Sequence, residues 1–134
     1  MRGEVILLTR NVIIEGERID RWGGQILVTD IFEFDGTWRK GGLIMDNVWV
    51  DNCSQKDAYH SSIRFEGATG GHSSVSNSAI SHGLDWGVII WSSNNVELHN
   101  NAFVDFRGIG MNLDLTRNCT IVGNFIGDVY GRDI

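Results

Sequence analysis

Apolar residues recur two positions apart in short runs along this chain: Ile63 and Phe65, Val88 and Ile90, Val96 and Leu98, Cys119 and Ile121, and Ile44 with, further on, Val48 and Val50. A strand with one buried face produces such alternation, because successive side chains point to opposite sides. No segment carries an apolar stripe of about 3.6-residue period closed by recognisable helix caps. The pattern predicts an all-β chain of short strands, three or so between recurring turn signals.

The runs also repeat. "SVSNSAI" (74–80), "ELHNNAF" (97–103) and "TIVGNFI" (120–126) superpose without gaps at offsets of 23 residues. Ser78, Asn101 and Asn124 coincide, Asn95 falls on Asn118, Phe103 on Ile126 and Ile80, Gly87 on Gly110, and Asp105 on Asp128. "LIMDNVW" (43–49) supplies a further copy, with Asn47 reaching Ser78 after a longer interval of 31. At the amino end, "TRNVIIEG" (9–16) agrees with "TRNCTIVG" (116–123) at five of eight positions, 107 residues away.

Self-similarity at this period means a solenoid. Helical repeats lack their stripe, and a propeller blade needs about 40 residues. What remains is a right-handed parallel β-helix, each repeat one coil of short strands, coils stacked about 4.8 Å apart. In that geometry Asn47, Ser78, Asn101 and Asn124 form a structural ladder, their side chains hydrogen-bonding from coil to coil at one corner. The plainer alternative is four independent turn residues.

About five partial coils follow, at 9–30, 42–65, 74–91, 95–114 and 118–134, forming a single segment over 1–134. The intervals 16–24 and 31–41 leave the stack as loops carrying Arg18, Arg21 and Trp22, and Phe34, Asp35, Trp38 and Arg39. Such loops serve as binding faces or fold back as lids. Because the chain starts and stops in mid-repeat, it reads as a fragment of a longer protein.

Composition narrows the function. The chain has 134 residues, 42% of them apolar, with a net charge of −6, which places it among globular proteins. Its 11 basic residues are scattered, which argues against nucleic acid. Seventeen glycines and no proline mean many turns made by Gly, Asn, Asp and Ser.

The repeat places Asp51, His82, Asp105 and Asp128 on one rung. Stacked carboxylates repel, raise a pKa or recruit a hard cation such as calcium, and they open a route to catalysis on a polysaccharide. The plainer reading is solvated turn residues. Trp91 and its aligned partner Asp114 offer a sugar-stacking platform, against which stands core filling, the default for Trp49, Phe65, Trp86, Phe103, Phe125 and Ile126 as well. His60 reads as a turn residue, and His72 and His99 as surface. Cys53 and Cys119 lie about three coils apart, roughly 14 Å, too far for a disulfide. Both fall within glycosylation sequons, at Asn52 and Asn118. Asn118 begins a strand, where packing would block it, so Asn52 is the better acceptor.

Finally, "EVILLTRNVIIEG" (4–16), "GGQILV" (23–28), "SSIRFEGA" (61–68), "SSVSNSAISHGLDWGVIIWSSNNVELHNNAF" (73–103) and "NCTIVGNFIGDVYGR" (118–132) resemble the parallel β-helix region of fibrocystin-like proteins. The resemblance implies a very large cell-surface protein with an extracellular β-helix, an oxidising compartment, a membrane anchor outside this stretch, and an association with cilia or related protrusions. It also extends to cell-surface hyaluronan-degrading β-helix proteins. Those carry histidines where this chain has Arg64 and Glu66; His82 stands where they too have a histidine. The expectation is a non-catalytic scaffold or adhesion segment. Its partners would be other parts of the same chain, neighbouring surface proteins or glycans. The alternative is a polysaccharide-binding or polysaccharide-degrading β-helix.

Overall fold

The computed structural model describes residues 12–17, 23–56 and 60–130. Arg18, Arg21, Trp22 and Tyr59 lie outside them. Among these residues fifteen strands form: β1 (Val12–Glu15), β2 (Ile26–Val28), β3 (Ile31–Phe32), β4 (Trp38–Arg39), β5 (Ile44–Asp46), β6 (Val48–Asp51), β7 (Ser61–Glu66), β8 (Ser73–Ser76), β9 (Ala79–Gly83), β10 (Trp86–Trp91), β11 (Val96–His99), β12 (Ala102–Phe106), β13 (Met111–Asp114), β14 (Thr120–Val122) and β15 (Phe125–Val129). Three parallel sheets collect thirteen of them, all but β3 and β4. Sheet one runs β1-β6-β9-β12-β15, sheet two β13-β10-β7-β2 and sheet three β14-β11-β8-β5. Each coil passes from sheet three to sheet one to sheet two, so the chain is a parallel β-helix.

The corners explain the asparagines. Turning between two short strands in one or two residues requires a left-handed backbone, which Asn tolerates better than other non-glycine residues. Asn47, Asn77 and Asn100 have φ of 57°, 49° and 54°, and Gly123 has 68°; they form one column between sheets three and one. Asn95 and Asn118 (φ 59° and 52°) form another, before sheet three.

Beside the first column runs the ladder. The Ser78 amide donates to Asn101 Oδ1 (3.0 Å), and the Asn101 amide to Asn124 Oδ1 (2.9 Å). Asn101 Nδ2 donates to the Val75 carbonyl (2.8 Å), and Asn124 Nδ2 to the Leu98 carbonyl (2.8 Å). Each side chain thus takes up backbone groups that the left-handed corner removes from the sheet ladder. Asn47 does not belong here: the Val48 amide donates to Ser78 Oγ across an interval of 30 residues, not 31. Ser54, Ser73 and Ser93, all buried, accept backbone amides of neighbouring coils at other corners.

Inside the tube, Val50, Ile63, Phe65, Val75, Ile80, Val88, Ile90, Val96, Leu98, Phe103 and Phe106 form a continuous core. On β5 the expected inward residue, Ile44, is 71% exposed, and Met45 fills the place. Of the aromatics assigned to the core by default, Phe65 and Phe103 are buried. Trp49 and Trp86 are half-buried, whereas Phe125 and Ile126 are exposed on the last strand. The match between 9–16 and 116–123 does not mark equivalent positions. β1 pairs with β6 in sheet one, while β14 lies in sheet three.

Two excursions interrupt the described stack. The first is an antiparallel hairpin of β3 and β4, with Phe32 and Trp38 rings 5.1 Å apart and Arg39 paired to Glu33 at 2.8 Å. The second, unforeseen, is closed by a bridge between Gln55 and His60, whose side chains meet at 2.8 Å. Asp30 pins the hairpin base. It accepts from the Gly41 amide (2.8 Å), the Thr69 amide and hydroxyl (both 3.0 Å) and the Gly70 amide (3.2 Å). Burial would raise the Asp30 carboxyl, but these four donors outweigh it and hold the pKa below the ordinary value. A pKa lowered by folding contributes stability above the unfolded value, near 4, that is lost as pH falls through the folded one. The protection of the Gly41, Thr69 and Gly70 amides, measured as exchange relative to the intrinsic rate at each pH, should therefore fall several-fold in acid. Asp30→Asn should exchange fast at neutral pH with the acid step gone; an unchanged acid step would remove Asp30 as its source.

Candidate functional site

Register decides which polar side chains meet on the outer face of sheet one. Trp49 pairs with Ala79, Val50 with Ile80 and Asp51 with Ser81, so Asp51 stands one position before the turn that carries His82. The residue on the column of His82 (φ 51°), Asp105 (φ 61°) and Asp128 (φ 50°) is Asn52 (φ 51°), one coil below His82. The rung of Asp51, His82, Asp105 and Asp128 is corrected accordingly. It stacks two adjacent carboxylates, not three. Among the described residues no group of three or more His, Cys, Asp or Glu side chains is arranged to hold a metal ion.

The shift creates a different arrangement. Asp51, with 2% of its surface exposed, is reached from the next coil by two groups: Ser81 Oγ donates to its Oδ1 at 3.0 Å, and His82 Nδ1 lies 2.6 Å from the same oxygen. Trp49 Nε1 donates to Ser81 Oγ at 2.8 Å, laying the indole toward that next coil. A carboxylate only accepts, so the short contact places a proton on His82 Nδ1 and turns Nε2 outward. That nitrogen lies 3.8 Å from Asp105 Oδ2 on the coil beyond, with the His82 side chain 56% exposed. The imidazole thus bridges a buried carboxylate on one neighbouring coil and an exposed one on the other. Asp128 stands one coil beyond Asp105 and is exposed.

Outward positions of sheet one form two columns, which β1 opens with Ile13 beside Trp49 and Glu15 beside Asp51. Ala79 and Ala102 lie between Trp49 and Phe125, and Ser81, Val104 and Gly127 follow Asp51. The first column thus places two alanines between two aromatic side chains, with His82, Asp105 and Asp128 at the turn beyond the strands. Three coils separate the two aromatics, about 14 Å. Trp49 and Ser81 went unrecognised as site residues in the sequence. The signal was present, because the turn residue that precedes each inward strand sets the phase, but it needed the interval of 30 rather than 31.

Trp91 and Asp114 pair on sheet two, with Glu66 on the other side of Trp91. Trp91 is 40% exposed, and Glu66 is held by Arg64 at 2.8 Å. This column sits at the far end of β10 from Trp86, about 16 Å along the strand, so it does not join the histidine network. His72 is exposed, and His99 Nε2 lies 3.3 Å from Glu97. Cys53 and Cys119 are both free thiols, and burial pushes the Cys53 thiol above its ordinary value. The hairpin adds an open pocket of about 420 Å³ lined by Ile31, Phe32, Glu33, Phe34 and Asp35.

Among known proteins, the family described as the right-handed beta helix region matches residues 3–132. No curated protein and no solved structure matches this chain.

Proposed function

We propose a structural role for this chain, which belongs to the right-handed β-helix family: a non-catalytic scaffold or adhesion segment of a large cell-surface protein of fibrocystin-like architecture. One observation carries the reading. The polar side chains at the corners hold one coil to the next, as with buried Ser78 and Asn101 and half-buried Asn124 on one side and buried Asp51 with Ser81 and His82 on another. Such bonding rigidifies a rod and fixes its length, while the outer faces remain for lateral contacts with other parts of the same chain or neighbouring surface proteins. An extracellular place, on cilia or related protrusions, follows from the family resemblance of "EVILLTRNVIIEG" and the serine-rich stretch from Ser73.

A second reading has its own support in the outer face of sheet one. A chain of sugars could lie between Trp49 and Phe125 with its hydroxyls toward Asp105 and Asp128, and His82 Nε2 beside them to move a proton. A glycan array followed by a depolymerisation assay on the intact ectodomain separates the two. The scaffold reading expects no turnover, and turnover lost in Asp105→Asn or Asp128→Asn would sink it. Failure to bind any glycan would sink the second.

A further inference from the structure

Two sequons, Asn52-Cys53-Ser54 and Asn118-Cys119-Thr120, sit at left-handed corners of the coil, with φ of 51° and 52° at their asparagines. Backbone conformation does not separate them. Side-chain surroundings do. N-linked glycosylation replaces one of the two hydrogens on Nδ2 with the anomeric carbon of the first sugar. A lipid-linked oligosaccharide is the donor, and its lipid pyrophosphate leaves. A folded chain accommodates the product only where one amide hydrogen is dispensable and the sugar has space.

Asn52 fails the first condition and is itself half-buried. Its Nδ2 donates to the Gly16 carbonyl (3.2 Å) and the Glu17 carbonyl (3.4 Å), both hydrogens being used to tie the second coil to the first. Cys53 and Ser54, the rest of that sequon, are buried, and Ser54 Oγ accepts the Asp85 amide at 2.8 Å. Asn118 meets both. It is exposed, as is Thr120, and its Nδ2 donates once, to Asn95 Oδ1 one coil below at 2.7 Å. A glycosylated Asn118 keeps that bond with its remaining hydrogen. The expectation that packing blocks Asn118 and favours Asn52 is thereby reversed.

We infer that, resting on the surface-protein reading above, Asn118 carries an N-linked oligosaccharide and Asn52 does not. The corner of Asn118 lies between sheets two and three, so the glycan projects away from sheet one and leaves its outer face open for contacts.

The test secretes the intact chain from eukaryotic cells behind a supplied leader. Glycopeptides are then treated with N-glycosidase in heavy-oxygen water, which marks each formerly occupied asparagine as a labelled aspartate. The label should appear at position 118 and not at 52. Thr120→Ala, which removes the sequon while keeping the Asn118 to Asn95 bond, should lose one glycan from the intact mass. Labelling of Asn52 at equal or higher occupancy, or of neither site, would overturn the inference. Because the leader is supplied, this outcome is independent of where the natural protein resides. Localising the tagged full-length protein in its own cells tests the surface reading separately.

Discussion

Replacing Asn101 with leucine should lower the unfolding free energy by about 3 to 5 kcal/mol, although the two side chains are nearly isosteric. Asn101 is 2% exposed, and its amide group holds three partners from neighbouring coils: the Ser78 amide, the Val75 carbonyl and Asn124 Oδ1. Leucine fills the space but strands a buried N–H and a buried C=O, each costing about 1 to 3 kcal/mol when left without a partner. For a domain of this size the change amounts to a fall in Tm of about 10 °C or more, measured by thermal denaturation. Asn101→Ser should recover part of the loss, because serine already does this work at Ser78, where Oγ donates to the Ser76 carbonyl at 2.7 Å and accepts the Val48 amide at 3.1 Å. A loss below about 1 kcal/mol for leucine would mean that solvent or backbone motion satisfies those groups and that the ladder does not hold the coils.

The second large effect lies in the core column of Gly83 and Phe106. These residues pair across β9 and β12, and the Phe106 ring, fully buried, occupies the space that a Cβ on Gly83 would need. Phe106→Ala should therefore cost about 3 to 5 kcal/mol through lost burial and the cavity left between two coils. Gly83→Ala alone should also destabilise, since its methyl would overlap ring atoms of a side chain with no room to withdraw. In the Phe106→Ala background the same Gly83→Ala change should be neutral or favourable, because the methyl then fills part of the void. Chemical denaturation of the four proteins in this cycle reads the coupling. Additive losses would show that the two positions do not share the space, contrary to the packing seen here.

Much of the architecture was legible from the chain itself. The 23-residue offset that joins Ser78, Asn101 and Asn124 reappears in the hydrogen bonds between them, and the alternation at Ile63, Phe65, Val88 and Ile90 marks strands whose inner residues are buried. Where the reading of the second coil slipped, it slipped by one residue, taking 31 for 30. That step moved Asn47 onto the ladder in place of Val48 and Asp51 onto the turn column in place of Asn52. In a strand a one-residue shift exchanges the two faces, so a small error in interval became a wrong set of side chains in the site.

Two things were therefore determined by the sequence alone: that the chain coils, and that asparagine and glycine turn its corners. Both are local, set by alternation along a few residues and by which side chains tolerate a left-handed backbone. Which residue stands over which was decided by the tertiary structure. The hairpin at Ile31–Phe32 and Trp38–Arg39 and the turn closed by Gln55 and His60 add length without adding coils, and the interval between stacked residues changes from 36 to 30 to 25 to 23 along the stack. No local pattern records how much of an excursion is absorbed outside the stack. The meeting of Asp51, Ser81 and His82 over Trp49, from residues 30 or more apart, depends on that packing.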